Sequence, residues 1–300
     1  MNFKQLEAFL RVAELQSFTR AARQLYMSQP AVSFQIKALE DDLRVPLFQR
    51  GDKQIIMTEA GRLLYPEAKQ MVRQYHMIRA SLDDLRGLKT GHLLLGASTI
   101  PGEYLMPVLV GEFRQKYPGM DVNLRVGGSG DIIRLVRDRE IDLGITGIPV
   151  SVELECKEWQ EDRLVLIVPQ NHPWCGLEAV EPAQLVAEPM IVREPGSGTR
   201  RTVESKLADL GYGPGDFNIA MELGSTRAVI TGVQAGLGVS IVSWLAAQEA
   251  LELGKVCSVG LRDVDLSRKL YLIRYPREVG SFAVDAFIKF ILEQADIAAV

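Results

Sequence analysis

The pattern of apolar residues changes character at about residue 90, so one architecture does not serve the whole chain. From Gly91 onward, apolar runs suited to buried strands recur as HLLLGAS (92–98), MDVNLRVG (120–127), IDLGITG (141–147), RLVLIVP (163–169), EPMIVRE (188–194) and GVSIV (238–242). Between several of them lie helical patterns: GEYLMPVLVGEFRQKYP, SGDIIRLVRDRE and GTRRTVESKLADLG. Strands alternating with helices predict a mostly parallel α/β sheet, here long enough for two small lobes. The stretch SFAVDAFIKFILEQ predicts a closing helix.

Before residue 90 the pattern is helical. Leu6, Phe9, Leu10 and Ala13 have the i, i+3, i+4, i+7 spacing of one buried face. Ser17 and Thr19 offer capping oxygens to a second helix, TRAARQLY, whose Ala21, Ala22 and Leu25 turn inward. After a turn at Tyr26-Met27, Ser28 caps a third helix, SQPAVSFQIKALE, with Pro30 in its first turn. Its apolar stripe is Val32, Ile36, Leu39 and Leu43, and Phe34 falls almost opposite, towards solvent. Two short helices joined by a tight turn predict a helix-turn-helix. Leu47-Phe48 and Ile55-Ile56-Met57 around the polar tip QRGDKQ predict a hairpin wing, and Thr58 then caps a long helix. In that helix Leu64, Ala68, Met71, Tyr75, Ile78, Leu82 and Leu85 alternate spacings of 4 and 3, a seam that asks for a partner helix. Pro66 is expected to remove one backbone bond from it and kink it.

Charge and composition narrow the function. Residues 1–90 hold 14 Lys and Arg against 10 Asp and Glu, while residues 91–300 hold 20 against 28. A basic N-terminal part on an acidic protein points to a nucleic-acid module joined to something else. Lys4, Glu7 and Arg11 interrupt any apolar leader, so a cytoplasmic protein is expected. Residues 228–248 lack charge and contain a GxxxG, but their glycines, glutamines and hydroxyls read as helix, glycine turn, short strand and second helix, not a membrane span. Cys156, Cys175 and Cys257 show no CxxC and fit free thiols, with a redox role left open. Three GxG stretches lack the third small residue of a dinucleotide fingerprint, and no P-loop occurs. His76, His92 and His172 sit near no recognisable nucleophile or zinc motif, so an enzyme is disfavoured and neither metal nor cofactor is expected. A solute-binding protein would explain residues 91–300 but not the first ninety.

The register Phe9, Ser17-Phe18, Ala21-Ala22, Leu25, SQPAVSFQI (28–36), Leu39-Glu40, Leu47-Phe48, Arg50 and Thr58-Glu59-Ala60-Gly61 resembles the LysR-type transcriptional regulators. HLLLGAS, FRQKYPGMDV, IDLGI and GLGVSIV extend the likeness along the chain, while Arg44 departs from it where the family usually has glycine. The resemblance implies a winged helix-turn-helix DNA-binding domain over 1–58 and a linker helix over 59–89 that pairs two subunits. Residues 90–300 would form a two-lobed α/β effector domain of periplasmic-binding-protein type, lobe I about 90–162 plus 267–300 and lobe II about 163–266. It further implies binding to interrupted inverted repeats in double-stranded DNA near promoters, dimers that assemble into tetramers, contact with RNA polymerase, and a small-molecule co-inducer between the lobes.

In that register Gln29, Pro30, Ser33, Phe34 and Lys37 form the DNA-facing surface of the third helix, where Gln can pair with adenine and an apolar ring can cover a thymine methyl. Ser28, Arg50 and Lys53 suit phosphate contacts. Ligands of α/β proteins bind beyond the carboxyl ends of strands. This selects Ser98, Thr99, Gly128, Ser129, Thr146, Gly147, Gly196, Ser197, Thr199 and Ser225, with Arg193 and Arg200 supplying charge. Hydroxyls, glycines and helix starts make an anion cradle, so the expected effector is an oxyanion or carboxylate.

Overall fold

The computed structural model describes residues 1–50, 55–85, 91–150, 153–276 and 281–298. The chain divides into two compact units, Met1–Gly87 and Leu88–Val300.

In the first unit, α1 (Phe3–Leu15) opens on a capping box in which Asn2 and Gln5 satisfy each other's backbone N–H groups. Ser17 caps α2 (Phe18–Gln24) and Ser28 caps α3 (Gln29–Leu43), with Pro30 in the first turn. Leu6, Phe9, Val12, Ala21, Ala22, Val32, Ile36 and Leu39 close one core; the alanines let the helices cross closely. Helix α3 ends on Arg44 at φ 56°, so arginine takes the left-handed turn a glycine would favour. Glu40 then accepts from the backbone N–H groups of Leu47 and Phe48 at 2.6 and 3.2 Å, tying α3 to the wing. The wing pairs β1 (Phe48–Arg50) antiparallel to β2 (Ile55–Met57). Its tip, with Lys53, and the side chain of Arg50 lie outside the described residues.

Thr58 caps α4 (Glu59–Leu85), a continuous helix that carries Pro66 inside it. Ala68 is fully buried and Leu64 packs, partly buried, against the same core of the first unit. Helix α4 crosses its own domain first and clears it afterwards. Met71, Tyr75, Ile78 and Leu82 are exposed, Tyr75 stacking on Phe3 with ring centroids 4.1 Å apart. The side chain of Leu85 lies outside the described residues.

The second unit is built on an eight-stranded mixed sheet. Strands β3 (Gly91–Ser98), β4 (Met120–Gly127) and β5 (Leu143–Thr146) are parallel. A π-helical turn (Pro101–Leu105), α5 (Met106–Lys116) and α6 (Ser129–Arg137) connect them. Strand β6 (Glu155–Pro169) is fifteen residues long and belongs to both lobes. Its first half pairs antiparallel with β12 (Ser267–Arg274), which also borders β5. Its second half pairs with β10 (Ser240–Ser243) and β11 (Val256–Leu261). The expected mostly parallel sheet is therefore mixed, because β6 and β12 cross between the lobes against the parallel strands. The remaining elements are β7 (Ala179–Val180), α7 (Pro182–Ala187), β8 (Met190–Arg193), α8 (Gly198–Ala208), a 3-10 turn (Pro214–Asp216), β9 (Ile219–Leu223), α9 (Thr226–Gln234), α10 (Trp244–Glu252) and α11 (Phe282–Ala298).

Lobe I packs Leu93, Leu95, Phe113, Leu143 and Phe287 into one core, and lobe II packs Leu166, Val168, Leu185, Leu207 and Ile241 into another. The uncharged stretch 228–248 is divided among α9, β10 and α10, and no described helix is long and apolar enough to cross a membrane. Cys175 and Cys257 form a disulfide with Cα atoms 5.4 Å apart, which corrects the expectation of free thiols; Cys156 is free and exposed. The turn after β6 returns Cys175 beside β11, a pairing across 82 residues that no local spacing announces.

Candidate functional site

The outward surface of α3 is the first candidate site. Val32, Ile36 and Leu39 are buried, and the opposite surface presents Ser28, Gln29, Pro30, Phe34 and Lys37 to solvent, with Ser33 half-buried. Phe34 is 68% exposed, an arrangement that burial of apolar area alone would not select. Gln29 Nε2 donates to Ser33 Oγ at 2.9 Å, which links two polar groups of that surface. Ser28 Oγ accepts from the Ala31 N–H at 3.3 Å, so its hydroxyl serves as a cap. Tyr26, in the turn before α3, is 98% exposed and holds φ 54°. Neither its left-handed backbone nor its full exposure is visible in the sequence.

The second candidate site gathers where the lobes meet within the second unit. Ser98, Gly127 and Thr146 end three parallel strands on one edge of the sheet, with Ser98 paired to Gly127. Thr99 follows β3, half-buried, and Thr146 Oγ1 donates to the Ile148 carbonyl at 2.7 Å. Gly128 caps α6 without a side chain, which leaves Ser129 as the first helical residue. Across from it Gly196, at φ 93°, turns the chain into α8, where Ser197 caps by accepting from the Arg200 N–H. The two helix starts approach closely: a Cβ built on Gly198 would lie 2.9 Å from Ser129 Oγ and 3.9 Å from the Gly147 Cα. Ser129 Oγ is buried and has no hydrogen-bond partner.

Arg268, on β12, completes this junction and was missed from the sequence. Its guanidinium lies 3.1 Å, through Nη1, from where a Gly147 Cβ would sit. Nε and Nη2 bind the fully buried Asp162 on β6 at 2.8 and 2.6 Å, and Ser243 Oγ at the end of β10 donates to the same carboxylate at 2.6 Å. Arg268 and Asp162 are register partners across β12 and β6. In sequence Arg268 is one of three basic residues, with Lys269 and Arg274, in the run SRKLYLIR, and the charges mask the strand pattern.

The arginines chosen from the sequence are engaged elsewhere. Arg193 grips Glu194 through Nε and Nη2 at 2.7 and 2.8 Å and donates through Nη1 to Thr226 Oγ1. Burial pushes the Glu194 carboxyl up, but the hydrogen bonds from Arg193 and its own backbone, with the charges of Arg193 and Arg200, outweigh this and hold it below its ordinary value. Arg200 is held charged by hydrogen bonds to Glu204 and Glu222, both at 2.7 Å. Ser225 caps α9 through the Ala228 N–H. Thr199 is buried beside a small cavity of about 60 Å³ beneath α8 that Arg193 and Ser240 also line. Among the described residues, no group of three His, Cys, Asp or Glu side chains is placed to hold a metal ion.

Residues 3–62 match the family model described as bacterial regulatory helix-turn-helix protein, lysR family, and residues 86–296 match the LysR substrate binding domain. The chain is 38% identical over 292 residues to a probable RuBisCO transcriptional regulator of Porphyra purpurea, covering 96% of this chain and 92% of that one. It is 32% identical over 297 residues to the RuBisCO operon transcriptional regulator of Allochromatium vinosum, covering 98% and 97%. Among solved structures, the Synechocystis PCC6803 CcmR regulatory domain in complex with 2-PG is 26% identical with a TM-score of 0.62, covering 69% of this chain and 98% of that domain. Full-length CbnR, solved with its target DNA, shares the fold at a TM-score of 0.73 and 22% identity, covering 98% and 100%. With a helix-turn-helix in the first unit, a two-lobed α/β second unit later in the chain, and both family models matched in order, the chain belongs to the LysR family of transcriptional regulators.

Proposed function

We propose that this regulator reads operator DNA with the outer surface of α3 and that a small anion between the lobes of its second unit changes how it holds the promoter. The observation that carries the first half is Phe34, a large ring exposed on a helix that already has a complete buried stripe. Gln29, Ser33 and Lys37 supply base-edge or phosphate contacts beside it, Pro30 and Tyr26 border them, and Ser28, Arg50 and Lys53 contact the backbone. Two subunits pair through the exposed stripe Met71, Tyr75, Ile78 and Leu82, continued by Leu85, and pairs of dimers span an interrupted inverted repeat. RNA polymerase is the further partner of a promoter-bound assembly. The role is regulatory and not catalytic, and cytoplasmic.

The effector half rests on the cluster of Ser98, Thr99, Gly128, Ser129, Thr146, Gly147, Gly196, Ser197 and Thr199 around two helix starts, a setting that favours negative charge. The regulators of Porphyra purpurea and Allochromatium vinosum carry RuBisCO in their names, and CcmR was solved with 2-PG, so RuBisCO promoters and 2-PG are the first operator and effector to try. Footprinting of the full chain on such a promoter, with and without 2-PG, tests the reading. A protected inverted repeat whose footprint changes with the ligand supports it. Protection without sequence preference, or none, overturns it.

A further inference from the structure

Resting on the effector reading, we propose that Arg268 and Ser129 form the seat of the effector's anionic end, and that this seat takes a tetrahedral oxyanion, a phosphoryl or sulfuryl group, in preference to a carboxylate. Three observations converge. Ser129 Oγ is 1% exposed as a residue and lacks any hydrogen-bond partner, a state that leaves a hydroxyl with unmet polar capacity. Arg268 gives two of its nitrogens to Asp162, which leaves Nη1 beside Gly147 and Gly198. Those glycines give the room: side chains at 147 and 198 would press on Arg268 Nη1 at 3.1 Å and on Ser129 Oγ at 2.9 Å.

The donors of this seat come from three separate elements: the start of α6 with Ser129, the start of α8 at Gly198, and Arg268 from β12. A carboxylate offers its lone pairs in one plane and suits a donor fork on one side. A tetrahedral oxyanion turns an oxygen to each of three directions. The Asp162–Ser243 pair also matters, because it fixes the guanidinium plane on the strand that crosses between lobes. An anion drawn to Arg268 therefore pulls on the crossing strand itself.

Calorimetric titration of the full-length protein with inorganic phosphate, sulfate and acetate tests this, on the wild type and on Ser129→Ala and Arg268→Lys. Ser129→Ala removes a hydroxyl that has no partner, so the melting temperature should stay level or rise slightly. Phosphate or sulfate affinity should nonetheless fall about tenfold, the loss of a hydrogen bond to a charged group. Arg268→Lys keeps the charge beside Asp162 but loses the fork, and should weaken both oxyanions by a similar factor. Acetate should bind the wild type at least about tenfold more weakly than phosphate or sulfate. Unchanged oxyanion affinity in both variants overturns the seat while leaving the effector reading intact. Acetate equal to phosphate and sulfate overturns the tetrahedral preference. Binding of none of the three anions overturns the seat and the anionic effector together.

Discussion

Replacing Phe34 by alanine separates a recognition surface from a core. The ring is 68% exposed, so roughly a third of the ~200 Å² of a phenylalanine is covered by protein. At about 25 cal/mol per Å² that cover is worth ~1.6 kcal/mol at most, since the unfolded chain already buries part of it. Alanine is the better helix former and returns about 0.5 kcal/mol. The net cost to the first unit is therefore about 1 kcal/mol. Phe9 is fully buried in the same core, and its truncation should cost about 3–5 kcal/mol. Urea denaturation of the two variants gives the comparison directly. Operator binding should invert the order, because Phe34→Ala should lose about 1–3 kcal/mol of discrimination at one base position. A Phe34→Ala variant as unstable as Phe9→Ala would place the ring in the core and refute the helical-wheel argument. Wild-type affinity for every operator variant would refute its role in readout.

Other perturbations test the fold locally. Arg44→Gly should stabilise the first unit by up to about 1 kcal/mol in urea melts, since the exposed arginine holds φ 56° where glycine relieves a left-handed strain of ~1–2 kcal/mol and returns part of that as chain entropy. Gly61→Ala should destabilise by about 1–3 kcal/mol, because its Cβ would lie 2.3 Å from the Leu47 carbonyl oxygen; a neutral result would mean that the wing and α4 are not held in register there. Glu194→Gln should flatten the acid limb of stability. The lowered Glu194 pKa gives stability that is complete above the ordinary 4.5 and is lost as pH falls through the folded value. With the side chain 34% exposed, solvent screening keeps this below about 1 kcal/mol, measured as melting temperature against pH for both proteins.

Much of the first unit was legible because its information is local. Caps at Ser17, Ser28 and Thr58 precede their helices by one residue, and the apolar stripe of α3 lies within one helix. The seam of α4 was half legible. Periodicity marks which residues share a side of a helix but not what that side meets, so Ala68 in its own core and Ile78 in solvent look alike in sequence. In the second unit the strands that alternate with helices were readable, whereas β12 and the first half of β6 were not. Their runs, SRKLYLIR and ECKEWQED, carry charges at positions that a buried strand would fill with apolar residues.

The charges that hid those strands are what the junction between the lobes uses. Asp162 sits at the point of β6 where the partner changes from β12 to β10 and β11, and it is fully buried there. A carboxylate at that depth needs a cation and further donors, and its register neighbour Arg268 and the Ser243 hydroxyl provide them. An apolar pair of similar volume would hold the sheet as well or better. What the ion pair does is keep a guanidinium inside the junction, with Nη1 beside Gly147. The rule that ligands bind beyond the carboxyl ends of strands points instead to Arg193, at the end of β8, and Arg200, in the first turn of α8. Those two are bound by Glu194, Glu204 and Glu222, and the arginine left facing the site stands on a strand, aligned by a buried acid that belongs to both lobes.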